Sequence, residues 1–178
     1  MSPVERMYED HRGVLEYLEA EQQVSHHATL QTTLPKVLLL AAASEFEERV
    51  CRALREHVTG NILDAKLLEL IEQKAIRRQY HTLFDWDARN AGKFWALFGQ
   101  SFKSGMKAHC AKDPELTAAI SAFMEIGSLR NHMVHNNYAS FVLEKTLDEV
   151  YGLYRQGDAF VSNLPELLRL TFHQPTTP

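Results

Sequence analysis

Apolar residues recur along the chain at spacings of three, four and seven, the pattern of helices that each bury one face. Val4, Met7, Tyr8, Val14, Leu15 and Leu18 form the first such stripe, which predicts a helix running to about Val24. Its start is marked by Ser2-Pro3-Val4-Glu5: a serine to cap, a proline at the first helical position, and a glutamate placed to close a capping box. A second helix is expected after Thr33, in LPKVLLLAAASEFEERVCRALREHVTG. That stretch is apolar nearly all round in its first half, which should sit centrally in the core, and amphipathic later, with Gly60 as the stop. Leu63, Leu67, Leu70 and Ile71 predict a third helix ending near Arg78. The following interval, YHTLFDWDARNAG, has no helical period and carries asparagine and glycine breakers, so it reads as a loop.

Beyond it, KFWALFG reads as a short helix or turn and SGMKAHCAKD as another short helical piece. Phe94, Trp95, Leu97 and Phe98 could stack nucleic-acid bases, but aromatics at helical spacing belong more often to a core. Asp113-Pro114-Glu115 is a strong helix start, and Leu116, Ile120, Phe123, Ile126 and Val134 would be the buried stripe of the long helix it opens. A last helix begins at the capping box Thr146-Leu147-Asp148-Glu149 and continues through Val150, Tyr151, Tyr154 and Val161, with Pro165 as a kink or restart. No strand alternation is visible. The expectation is an all-α bundle of five or six helices, one domain over residues 1–178.

Composition changes little in this picture. Apolar residues make up 45% of the 178 and charged residues 24%, as in an ordinary globular protein. Cys51 and Cys110 stand alone, far apart and outside any C-x-x-C pair, so neither a disulfide framework nor a structural zinc site is signalled. The N-terminus lacks the apolar core of a signal peptide, and the longest apolar run, Val37 to Ala43, is too short to span a bilayer. A cytoplasmic protein with no membrane partner is expected. The net charge of −4 hides an uneven distribution: residues 66–112 carry 9 Lys/Arg against 4 Asp/Glu, while both flanks are acidic. Lys66, Lys74, Arg77, Arg78, Arg89, Lys93, Lys103, Lys107 and Lys112 could track phosphates or simply form a solvated face. Lys93, Lys103 and Lys107 are the candidate RNA-binding residues among them.

One stretch conflicts with the helical pattern around it. LRNHMVHNNY, residues 129–138, packs one arginine, two histidines and three asparagines into ten positions, just where an apolar stripe says a helix is still running. On a helical wheel Asn131 and His135 share a face, and His132 lies close to His135. Arg130 and His135 are about 140° apart, so a rigid helix would not aim them at one point. A loosening helix end, the length of the arginine or a second copy of the chain could bring them together. His132 and His135 alone make a poor metal site, because no third ligand or H-E-x-x-H pattern accompanies them. No metal and no cofactor is therefore expected. His26-His27 reads as a surface pair, and no G-x-S-x-G or catalytic-cysteine pattern supports a triad. Cations at a helix C-terminus would explain Arg130 and His135 through the helix dipole, but not the asparagines. Arginine with histidine is also a sufficient kit for cleaving RNA: the imidazole moves protons near neutral pH, and the guanidinium meets phosphate charge in the transition state.

At Arg130-Asn131-His132-Met133-Val134-His135 the sequence resembles the R-x(4-6)-H motif of the HEPN superfamily, including the polar residue directly after the arginine. The likeness extends to a long apolar helix with an embedded acid at Ser44-Glu45, an aromatic stretch at 94–99, a helix running into the motif and a closing amphipathic helix. It is similar above all to the RiboL-PSP-HEPN branch. The resemblance implies a helical bundle that dimerises, with the two motifs meeting across a two-fold axis in one composite cleft. It also implies a metal-independent endoribonuclease that leaves 2',3'-cyclic phosphate and 5'-hydroxyl ends, in a toxin–antitoxin or phage-defence setting with a cognate antitoxin or defence partner. His135 would be the acid/base, Arg130 the phosphate clamp and Asn131 the orienting partner, with Glu45 and His132 in support. The alternative is a non-catalytic HEPN module that binds RNA, nucleotide or a partner protein.

Overall fold

The computed structural model describes residues 1–172. Among them are eight α-helices and no strand: α1 (Pro3–Ala20), α2 (Val24–Asn61), α3 (Ala65–Ile71), α4 (Tyr80–Leu83), α5 (Gly92–Ala96), α6 (Gln100–Lys112), α7 (Pro114–His135) and α8 (Leu147–Arg169). A π-helical turn, Glu72–Ile76, continues α3. The all-α expectation holds; the count exceeds five or six because three short helices punctuate the middle of the chain. None of the helices among the described residues is long and apolar enough to cross a membrane.

The helix starts follow the capping chemistry. The Ser2 hydroxyl accepts the Glu5 amide at 3.1 Å while the Glu5 carboxylate accepts the Ser2 amide at 2.7 Å. Thr146 and Glu149 repeat this box at the start of α8, with 3.2 and 2.7 Å. The Asp113 carboxylate caps α7 by accepting the Leu116 amide at 2.9 Å. Each cap satisfies backbone donors that the first helical turn leaves unpaired. The first box is also tied to the bundle: Ser2 Oγ lies 2.7 Å from the Tyr154 hydroxyl of α8, and the Tyr8 ring stacks on Tyr151 with centroids 3.8 Å apart.

Five expectations need correction. The first stripe does not continue to Val24, because the chain turns after Ala20 with Gln22 in the left-handed region at φ 54°. Only Val4 and Tyr8 of that stripe are buried, and Val14 is exposed. The second helix starts at Val24 rather than after Thr33 and runs through Pro35 without interruption. Packing against α1 along this hairpin outweighs the lost backbone donor of the proline, and the Thr32 and Thr33 hydroxyls donate to the Thr29 carbonyl at 2.9 Å. The leucines here are not a buried stripe: Leu63, which precedes α3, and Leu67 and Leu70 on it face solvent. This segment is instead fixed at its end, where Arg55 of α2 donates twice to Glu72, at 3.0 and 2.8 Å, and Ile76 enters the core. In α7, Met133 is buried and Val134 exposed, one position off the assigned face. Of the kink or restart expected at Pro165, the restart does not occur, since α8 continues through it to Arg169.

The core sits where α7 crosses α8 and α2. Gly157 of α8 is the point of closest approach: a Cβ built there would lie 3.0 Å from the Phe123 amide nitrogen and 3.1 Å from its Cα. From Phe123 an aromatic network reaches Phe46 of α2, Phe160 of α8 and, beyond α4, Phe84 and Trp86, all with centroids within 6 Å. Phe94 and Trp95 join it as buried residues, so they are core, whereas Leu97 is exposed. Gly157→Val should therefore lower stability in urea unfolding by about 1–3 kcal/mol through overpacking against backbone that cannot yield. Gly152→Ala, on the open face of the same helix where a Cβ meets nothing within 4 Å, should raise it by about 0.5–1 kcal/mol.

Candidate active site

On α7, residues Phe123, Ile126, Gly127, Arg130 and Asn131 follow one another at spacings that keep them on a single face. The first three belong to the buried interior and the last two are half-buried. The core stripe thus turns polar as the helix leaves the interior, and a cleft of about 320 Å³ opens there. Its other walls come from Phe46 and Glu47 of α2, Tyr80 and His81 of α4, and Trp86 of the following loop, with His135 at its rim.

Trp86 is seated by a glycine. A Cβ on Gly127 would fall 2.0 Å from the Trp86 ring, so only glycine lets the indole lie against α7 at that level. The Trp86 indole N–H donates to the His81 carbonyl at 2.9 Å, which ties α4 and the loop together. On the far side of Trp86 a second opening of about 400 Å³ shares Asn131 and His135 with the first. Asp85, Asp87, Lys93, Ser128 and His132 line that side.

The asparagines divide into two roles. Asn131 accepts from the Arg130 guanidinium at 3.1 Å. Asn136 closes the helix, its amide side chain donating to the His132 carbonyl at 2.6 Å and its backbone N–H to the same carbonyl at 3.1 Å. Asn137 organises the next turn, accepting the Ala139 amide at 3.1 Å on its side chain. Arg130 is half-buried and has no carboxylate within 4 Å among the described residues, whereas the arginines of α2 are all ion-paired. A half-buried guanidinium with no carboxylate partner, lining one cleft with an imidazole, is equipped to receive an oxyanion. Burial, with Glu47 and Cys51 adding to it and Arg130 opposing, holds the Tyr80 phenol well above its ordinary value, so it stays a hydroxyl donor.

Arg130, Asn131 and His135 are therefore together on one cleft. The mismatch on the wheel does not by itself demand a second chain, because His135 is the last residue of α7 and Arg130 is long. His132 is exposed and lies only on the far side of Trp86, with Lys93. Lys93 also donates to the Phe84 carbonyl at 3.4 Å. Lys103 and Lys107 are elsewhere: with Arg89 they line a separate pocket between α6 and the start of α5. Glu45 is not among the residues lining the cleft. It points to α8, where it accepts from Tyr154 at 2.8 Å and pairs with Arg49, which also holds Asp158. The acid of the cleft is Glu47, two positions on and so on the opposite side of the helix. His26 and His27 are on the first turn of α2, exposed and half-exposed. Among the described residues no three His, Cys, Asp or Glu side chains group to hold a metal.

The sequence pattern does not single out Tyr80, His81 and Trp86, since their stretch has no period to assign a face. Its aromatic content was the only signal that it packs.

The family model for RiboL-PSP-HEPN matches residues 7–169. The chain belongs to the RiboL-PSP-HEPN family. No match came from the curated proteins or from the solved structures. HEPN membership points to an RNase-like or nucleotide-related function, and the cleft at the end of α7 is where this HEPN chain brings Arg130, Asn131 and His135 together.

Gly127→Ala should displace Trp86 without unfolding the bundle. With Trp95→Phe in the background, leaving Trp86 as the sole tryptophan, the substitution should shift indole emission to longer wavelength while far-UV circular dichroism stays the same. Unchanged emission would show that Trp86 is not seated on Gly127.

Proposed function

We infer that this protein is a metal-independent endoribonuclease. The observation that carries the reading is Arg130: a half-buried guanidinium without a carboxylate partner among the described residues, opening on the same cleft as His135. RNA carries its own nucleophile in the 2'-hydroxyl. His135 takes the proton of that hydroxyl or delivers one to the departing 5'-oxygen. The 2'-oxygen bonds to phosphorus as the bond to the 5'-oxygen breaks, giving a 2',3'-cyclic phosphate and a 5'-hydroxyl. Arg130 meets the negative charge that accumulates on the phosphoryl oxygens, and Asn131 holds the guanidinium in place. The protein works as a homodimer with the two motifs facing each other, in a toxin–antitoxin or phage-defence setting with a cognate partner; this part of the reading rests on the family resemblance.

Incubation of the purified protein with RNA in EDTA, followed by end-group analysis, tests the chemistry: cleavage should persist and the fragments should carry cyclic phosphate. His135→Ala and Arg130→Ala should each lower cleavage by on the order of 100-fold or more with folding intact, and His132→Ala should do less. Full activity in His135→Ala would sink the mechanism. RNA binding without cleavage by the wild type would favour the non-catalytic binding module. Mixing the two inactive variants examines assembly, because partial recovery requires Arg130 and His135 from different chains to act together, and none is expected if each chain uses its own pair.

A further inference from the structure

The cleft is lined by two chemically different sets of groups. Arg130, Asn131 and His135 supply a cation and polar groups suited to phosphate. Glu47 and Tyr80 line the same cleft together with the aromatic rings of Phe46, Phe123 and Trp86. Glu47 is exposed and makes no ion pair among the described residues, because its neighbours take the arginines of α2: Glu45 and Asp158 hold Arg49, Glu48 holds Arg52, and Glu72 holds Arg55. The Tyr80 hydroxyl also makes no hydrogen bond among the described residues, although its ring is fixed against Phe84 and Trp86 at centroid distances of 5.9 and 5.4 Å. An acceptor carboxylate and a donor hydroxyl are thus both unengaged, at the mouth of an aromatic slot.

A carboxylate repels phosphate, so Glu47 suits an uncharged planar ring that offers hydrogen-bond donors. The free edge of guanine presents two adjacent donors, N1–H and the N2 amino group, next to the O6 acceptor. Adenine and cytosine present one amino group beside ring acceptors, and uracil one N–H between two carbonyls. A carboxylate that takes both guanine donors, with a hydroxyl donating to O6, satisfies that edge completely and leaves the other bases with unpaired or opposed groups. The volume of about 320 Å³ is at the small end of ligand cavities, roughly 300–1,000 Å³.

We propose that Glu47 and Tyr80 form a base subsite of the cleft that seats guanine from an unpaired nucleotide of the RNA, with the adjoining phosphate on Arg130. The proposal rests on the phosphate-clamp reading above and names the substrate class: single-stranded RNA cut next to guanosine. The edge that Glu47 reads is the edge used in base pairing, so a duplex cannot present it. Burial of the Tyr80 ring keeps its phenol protonated and able to donate.

The test is titration of the full chain with guanosine, inosine, adenosine, cytidine and uridine 5'-monophosphates, read by heteronuclear NMR or calorimetry. Guanosine monophosphate should bind tightest. It should exceed inosine monophosphate, which lacks only the N2 amino group, by about 10-fold, as expected for one hydrogen bond to a charged acceptor. Glu47→Gln should erase the guanosine-over-inosine difference, and Tyr80→Phe should weaken both ligands together. Arg130→Ala should weaken all the mononucleotides while preserving their order. Equal binding of all five, no binding of guanosine monophosphate at millimolar concentration, or a guanosine-over-inosine preference that survives Glu47→Gln overturns the subsite. RNA cleavage is scored in parallel: cutting without base preference removes this proposal alone, and guanosine selectivity without any cutting removes the nuclease reading while leaving the subsite in place.

Discussion

The approach of Gly157 to the backbone of α7 at Phe123 sets the position of everything around the cleft. With no side chain between them, α8 presses directly onto α7, and the Phe123 ring is directed into the space between α2, α8 and the loop after α4. One turn further along α7, Gly127 repeats the device on behalf of Trp86. The two glycines therefore do different work on connected faces: one brings a helix close, the other admits an aromatic ring. Close-packed interiors transmit such placements with little slack, so the tilt of α7 at its buried end decides where Arg130 and Asn131 emerge at its polar end.

Charge is distributed to match. On the side of α2 facing α8, the Arg49 guanidinium donates to Glu45, Asp158 and Ser162, and this network holds the two helices together while the second Glu45 oxygen, Oε2, is buried without a hydrogen-bond partner among the described residues. Glu45 also accepts from Tyr154, whose hydroxyl reaches Ser2 at the first capping box, so this acid links α1, α2 and α8. On the side of α2 facing the cleft, Glu47 has no ion-pair partner among the described residues, and neither has Arg130 on α7. Opposite charges kept apart in one cavity, beyond ion-pair distance, remain available to a ligand that supplies both complements.

The caps and the long helices were legible because their signals are local. Ser2, Asp113 and Thr146 state where a helix begins within a few residues of themselves, and all three do so here. The composition of the motif was legible too, since Arg130, Asn131 and His135 are polar where the stripe predicts apolar residues. What escaped were features decided by partners distant in sequence. Helix α2 extends back to Val24 because α1 lies against it, which no window around Thr33 reveals. The α3 leucines carry a helical period yet are exposed, because periodicity records which face is apolar and not whether another element covers it. Tyr80, His81 and Trp86 have no period at all, and their placement depends on Gly127, more than forty residues downstream. Glu45 and Glu47 differ by two positions, a difference that spacing alone cannot rank but that three-dimensional packing makes absolute.

The last turn of α7 then resolves the conflict between stripe and cluster. A helix whose core face continued apolar past Gly127 would bury against whatever covered it, and the cleft would close. Ending that face in Arg130 and Asn131 keeps the space open, because half-buried polar groups hold solvent or a polar ligand where leucines would draw the walls together. Asn136 and Asn137 complete the arrangement by terminating the helix and turning the chain immediately after His135, so the imidazole stands at a rim and is not covered by a further helical turn. The same stretch that looks out of place in a helical pattern is thus the means by which a buried helix face becomes the floor of a site.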